Sequence, residues 1–319
     1  MSVQALWYIG NGEVALRCGE GGDGACHVRT RASGISRGTE RLILRGAVPQ
    51  SEWERMRAPR QEGSFPFPVK YGYAAVGQVE AGPEPYLGAQ VFCLAPHQTS
   101  FRADPGALTI IPEDVPPRRA TLAANMETAL NAVWDADLTP NSRVAVVGAG
   151  LVGCLTAYLA RTYAGCNVTL SDTIASRAEI ATELGVSFCN AAALADHFDV
   201  IFHCSATAAG LETALNSAAF EGLVVEMSWY GSAPVPVPLG AAFHSQRLRL
   251  HASQVGHVAP SRRESHDHAA RLREAVALLG EPRLDALITD TVRFSDLPAR
   301  LPSLLAPGAP GIATVITYD

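Results

Sequence analysis

The sequence predicts an α/β chain made of an irregular β-barrel and a doubly wound parallel sheet, on three patterns. Up to about residue 112, short alternating apolar runs (5–8, 14–17, 26–30, 73–79, 90–94 and 108–111) are broken by glycine and proline, the texture of short strands and frequent turns. Residues 143–172, RVAVVGAGLVGCLTAYLARTYAGCNVTLSD, read as a strand, a glycine turn, a helix and a second strand ending in an acid. Beyond them strands at 200–204, 223–227 and 248–252 enclose a helix at 208–218, the alternation expected of a parallel sheet.

The remaining elements follow in order. The insertion 51–68, with Trp53, Phe65 and Phe67 among prolines, reads as a loop over or beside a site. Residues 118–135 read as one helix with Leu122, Met126, Ala129, Leu130 and Val133 on one side. The run 235–239 is β-prone, but its prolines forbid a full ladder, which suits an edge strand. After Gly256 come a polar helix at 262–279, a strand at 286–294, a short helix at 297–305 and a last strand at 312–318. These pieces need a home outside the sheet, and a return to the barrel supplies it. The expected domains are therefore 1–117 with 259–319, and 118–258 between them. No internal repeat or low-complexity segment interrupts this plan.

Composition narrows the class. At 319 residues, with 48% hydrophobic and 18% charged, the chain is long enough for two cores and too apolar for disorder. A net charge of −6 with no clustered basic run argues against nucleic acid as a partner. The uncharged run 144–160 is short for a membrane span and holds three glycines of the turn, and 227–246 is broken by prolines, so no membrane partner is expected. No secretory leader opens the chain, which places it in the cytoplasm as an expectation. Seven cysteines without a C-x-x-C pair point to reduced core thiols rather than a disulfide framework.

The turn itself carries chemistry. Gly148 permits a tight turn, Gly150 lets the backbone approach a pyrophosphate, and Gly153 lets the helix pack on the first strand. Leu151 and Val152 begin the helix, whose free N–H groups face the anion. Asp172, nineteen residues past Gly153, stands where a carboxylate accepts the hydroxyls of an adenosine ribose, with Thr173 and Arg177 just beyond. It would repel a 2′-phosphate, so NAD is expected over NADP. Asp172 also fits as an N-cap for a helix starting near Thr173, and both roles can hold together.

The whole layout resembles the medium-chain dehydrogenase/reductase superfamily, whose barrel is GroES-like and whose nucleotide domain is a Rossmann fold. The resemblance is carried by Ser33-Gly34-Ile35 with Gly38-Thr39-Glu40, by Tyr71-Gly72-Tyr73 before Val76-Gly77-Gln78-Val79, and by Gly88-Ala89-Gln90-Val91. Ile111-Pro112-Glu113-Asp114 and Thr128-Ala129-Leu130 extend it, and the phrases SGISRGTE, PVKYGYAAVG and SWYG are most similar to the branch of the hydroxyethyl bacteriochlorophyllide dehydrogenase. The departures concern metal. Against the family's catalytic zinc ligands stand Ser36 and Arg37, Tyr73 and Ala124, and its structural zinc lobe retains only Cys93. Such sites need nitrogen or sulfur ligands, so neither zinc is expected. His266-Asp267-His268 reads as solvated surface, and His97 alone is no metal site.

Without zinc, hydrogen-bond donors must steady alkoxide character during hydride transfer. The resemblance places Thr39, Tyr73 and the segment Asn125-Met126-Glu127-Thr128 around the nicotinamide. Tyr73 is the candidate donor to the substrate oxygen, Thr39 a relay hydroxyl and Glu127 a base or orienting acid. Against these roles stand a barrel-packing Tyr73, a turn-capping Thr39 and a Glu127 paired with Arg37 or Lys70. Ser205 and Trp229, just past strand ends, are expected along the cofactor with Thr128, and Trp53, Asn125, Tyr230 and His244 along the substrate. His244 fits equally as a structural histidine. In the superfamily the neighbourhood of 235–239 pairs across a homodimer. The expected function is a zinc-independent, NAD-dependent dehydrogenase acting on a secondary alcohol or ketone of a bulky small molecule, aromatic ones included. Two alternatives remain: a zinc-free NAD(P)H-dependent enone or quinone reductase, and a non-catalytic nucleotide-binding protein.

Overall fold

A computed structural model of the protein describes residues 3–194 and 197–318. The chain forms two compact units. One comprises Met1–Ala124, Gly231–Ala233 and Leu272–Asp319, the other Asn125–Tyr230 and Pro234–Arg271.

The second unit is a six-stranded sheet in the spatial order Ser187–Asn190, Asn167–Asp172, Arg143–Val147, Phe198–His203, Ala218–Glu226 and Arg249–Ala252. Every pairing is parallel. Counted along the chain this order is 3-2-1-4-5-6, so the direction of winding reverses beside the first strand, where such sheets bind their ligands. The first strand is covered on both faces, which explains its unbroken apolar run: Val144, Ala145 and Val146 are fully buried. Behind it the helix Leu151–Thr162 buries every residue from Gly153 to Ala160.

Three expectations change here. The run 235–239 is not a strand: Val235 and Val237 lie half-buried against Ala145, Ile201 and Leu248, and the sheet ends instead at Arg249–Ala252. Prolines at 234, 236 and 238 remove the donors a ladder needs, and packing takes over the valines. The helix at 118–135 is two, Pro117–Ala120 and Ala123–Asp135, because Thr121 turns its Oγ1 back to the Arg118 carbonyl (2.7 Å) and breaks the run. The helix at 262–279 starts only at His268, where Asp267 caps the N–H of Ala270 (2.7 Å).

The first unit holds a seven-stranded and a four-stranded sheet. At the centre of the larger lies Cys26–Ile35, antiparallel to Ala75–Ala81 on one side and to Ala313–Thr317 on the other. The smaller is built on Val3–Gly10. In the insertion 51–68, Phe65 is buried against Tyr71, and Arg57 binds the carbonyls of Gln61 and Gly63. The segment is pinned to its own unit by these contacts.

Candidate dinucleotide and proton-transfer sites

At the crest of the parallel sheet Gly148 adopts φ +109°, a conformation that L side chains rarely take, and so turns the chain. A Cβ on Gly153 would stand 1.9 Å from the Gly148 carbonyl oxygen, whereas one on Gly150 would meet nothing within 4 Å. Gly148 therefore shapes the turn and Gly153 allows helix to meet strand, while Gly150 leaves open space above the backbone. Asp172 closes the turn from the second strand: its Oδ2 accepts from Ala149 N (2.7 Å) and its Oδ1 from Ile174 N (2.9 Å). The helix expected near Thr173 begins at Arg177, so Asp172 caps a turn rather than a helix. Leu151, Val152 and Thr128 are half-buried, and Thr173 is exposed.

Beyond the fourth and fifth strands lies a polar cluster that the sequence reading had only in part. Ser205 Oγ is 2.7 Å from His203 Nε2, and His203 Nδ1 is 2.8 Å from Glu226 Oε2. Tyr230 Oη donates to the same carboxylate (3.1 Å), and Ser228 N donates to its other oxygen (2.8 Å). Burial pushes the Glu226 carboxyl up, but the hydrogen bond and charge of His203, with the bonds from Ser228, outweigh it and hold the group below the usual carboxylate range. Tyr230 is pushed above the ordinary phenol range by desolvation and by Glu226. Ser205 and Tyr230 were expected; His203 and Glu226 were missed. An acid interrupting the apolar run LVVEM was the available signal.

Glu127 has a partner that the sequence did not suggest. Arg271, 1% exposed, donates from Nε to Glu127 Oε1 (3.1 Å) and also binds Asn131 and the carbonyls of His257 and Val255. Desolvation raises the Glu127 carboxyl, and Arg271 opposes the rise. Arg37 instead binds the carbonyls of Ala309, Pro310 and Gly311, and Lys70 binds Glu62 and Gln98. Asn125 is buried, Trp229 half-buried and His244 exposed. His266 lies against the Trp134 ring and His268 on the Gly256 carbonyl.

In the first unit Tyr73 Oη donates to Thr39 Oγ1 (3.2 Å), the pairing proposed for a relay. Desolvation pushes the Tyr73 phenol up to about 12 against the hydrogen bonds of Ser36 and Thr39. Beneath it lies a buried polar knot. Glu40 accepts from Tyr8 Oη (2.7 Å) and Ser36 N (2.7 Å) and meets His97 Nε2 (3.2 Å). His97 Nδ1 pairs with Ser33 Oγ, which pairs with Tyr318 Oη, both at 2.8 Å. Trp53 is half-buried with its indole N–H on the Val48 carbonyl (3.1 Å).

The positions matching zinc ligands in the resemblance offer a hydroxyl at Ser36, the guanidinium of Arg37, which donates to the carbonyls of Ala309, Pro310 and Gly311, a phenol at Tyr73 and a methyl at Ala124, a set with no imidazole or thiolate. Among the described residues no group of three or more His, Cys, Asp or Glu side chains can hold a metal ion. Among them, too, no helix is long and apolar enough to cross a membrane.

No family model matches the sequence. A curated relative, the (R,R)-butanediol dehydrogenase of Saccharomyces cerevisiae, is 25% identical over 140 residues, 40% of this chain and 37% of its own, so the match spans little more than a third of that relative. The L-idonate 5-dehydrogenase of Escherichia coli K-12 superposes with a TM-score of 0.79 at 14% identity, covering 100% of this chain and 99% of that one. A protein described as a short chain alcohol dehydrogenase of Escherichia coli CFT073, solved with its cofactor NADH, gives 0.76 at 17% identity over 99% of both chains. The chain thus shares the α/β fold of these solved dehydrogenases, with a GroES-like unit and a Rossmann unit.

Proposed function

We propose that this protein is a zinc-independent oxidoreductase that moves hydride between NAD and a secondary alcohol or ketone of a bulky small molecule. The observation that carries the reading is the Asp172 carboxylate held against the glycine turn at the crest of the sheet. The turn, the open space over Gly150 and the helix start at Leu151 fit a pyrophosphate, and the carboxylate fits a ribose diol and disfavours a 2′-phosphate. Nicotinamide bound in that unit supplies the hydride chemistry. Thr128, Arg177, Ser205 and Trp229 are the further residues assigned to the cofactor.

Tyr73 is assigned the hydrogen bond to the substrate oxygen, with Thr39 as the hydroxyl beside it. A phenol raised to about 12 keeps its proton at neutral pH and stays a donor while negative charge grows on that oxygen. Glu127, paired with Arg271, suits an orienting acid better than a free base. Trp53, Asn125, Tyr230 and His244 remain the residues proposed for the substrate. The open edge strand Arg249–Ala252, exposed along its length, supports a homodimer, and seven free cysteines support a reducing, cytoplasmic setting.

The test is NADH binding followed by fluorescence, with turnover on a panel of bulky secondary alcohols, ketones, enones and quinones. Oxidation of an alcohol with NAD is expected. Reduction of quinones alone moves the protein to the reductases, and tight binding without turnover of any member makes it a nucleotide-binding protein.

A further inference from the structure

The second unit also contains a serine hydroxyl backed by a histidine and a carboxylate, none of them among the residues Tyr73, Thr39 and Glu127 to which proton handling in hydride transfer is assigned. His203 is fully buried at the end of the fourth strand, in register with Glu226 at the end of the fifth. Its Nδ1 lies 3.0 and 2.8 Å from the two carboxylate oxygens, which accept from it, and its Nε2 faces Ser205 Oγ at 2.7 Å. Glu226 is in turn fixed by Ser228 N and Tyr230 Oη. The chain also keeps glycine at 210, where a Cβ would stand 2.1 Å from Ser205 Oγ and 2.9 Å from His203 Nε2. Thr207 Oγ1, 2.9 Å from Ser205 Oγ, caps Gly210 N.

We propose that Ser205 is a nucleophile with His203 as its base and Glu226 as the positioning residue, giving the nucleotide-free protein an acyl-transfer activity on small activated esters at a residue that bound cofactor would cover. In the first step Ser205 Oγ bonds to the ester carbonyl carbon and its proton passes to His203 Nε2. The bond to the alcohol oxygen then breaks, and the departing oxygen takes that proton. Water attacks the acyl-serine, giving one proton to His203, and the serine oxygen recovers it as the acid leaves. Ala206 N is committed to Ser228 Oγ (3.0 Å) and Gly210 N to Thr207 Oγ1 (3.0 Å), so at the start of the helix Ala208–Ser217 the N–H groups of Ala208 and Ala209 are the donors assigned to the acyl oxygen.

The test is labelling of the full-length, nucleotide-free protein with a fluorophosphonate, mapped by peptide mass spectrometry, beside p-nitrophenyl acetate hydrolysis. Expected is one label, on Ser205, with hydrolysis lost in Ser205→Ala and slowed by about a hundredfold or more in His203→Gln. Glu226→Gln is expected to slow labelling and Glu226→Asp to restore part of it, a rescue that a merely structural acid would not give. Absence of label from Ser205 in the wild-type protein overturns the proposal whatever the variants do. Equal labelling rates in wild type and folded His203→Gln overturn it as well.

Discussion

Asp172 Oδ2 accepts the N–H of Ala149 at 2.7 Å, across 23 residues of sequence, so one carboxylate ties the end of the second strand to the glycine turn. Asp172→Ala is therefore expected to weaken NADH binding by about tenfold to a hundredfold, the worth of a hydrogen bond to a charged group. Discrimination against NADPH should fall too. Fluorescence titration with both nucleotides measures this, and an unchanged preference removes the acid from the site.

Two glycines three residues apart, Gly150 and Gly153, are expected to fail differently. Gly150→Ala adds a methyl into open space at an ordinary φ of −76°, so thermal melting should hardly change while NADH binding is lost. Gly153→Ala drives a methyl into the Gly148 carbonyl and should cost about 1–3 kcal/mol or more. Melting curves and titrations on the two variants separate shape from ligand approach.

Tyr73→Phe is expected to lower turnover by about a hundredfold, the usual effect of removing one donor to a developing oxyanion, with NADH affinity intact. It also has a pH signature. A phenol whose value rises from 10.0 in the unfolded chain to about 12 in the fold lends stability that is complete below pH 10 and disappears as pH climbs through 12. Urea midpoints measured from pH 9 to 12 should therefore fall more steeply for wild type than for Tyr73→Phe.

Arg271→Ala leaves Glu127 buried beside apolar neighbours without its cation and should cost about 3–5 kcal/mol in denaturant unfolding. A loss below about 1 kcal/mol would mean that water or another donor replaces the guanidinium.

Elemental analysis of the purified protein is expected to find zinc well below one equivalent per chain. Stoichiometric zinc that survives dialysis would overturn the metal-free reading.

What the sequence revealed was local. The strand, turn, helix and acid of 143–172 could be read because each feature lies within a few residues of the next and depends on backbone geometry that glycine alone allows. The pairing of Arg271 with Glu127 spans 144 residues and no periodicity announces it. The run 235–239 misled because β-propensity counts side chains, whereas packing over the sheet decided where Val235 and Val237 went. His203 and Glu226 lay nearer to reach. Each ends its strand, and the two strands are parallel neighbours in register, so a sheet order deduced beforehand would have brought them together.

The knot of Tyr8, Glu40, His97, Ser33 and Tyr318 draws on residues made before and after the whole parallel-sheet unit. During synthesis the intervening unit is complete once Arg271 has emerged, while its companion lacks the Tyr318 hydroxyl for Ser33 until Ala313–Thr317 arrives to flank Cys26–Ile35. Completion of the discontinuous unit is thereby tied to the synthesis of its last strand.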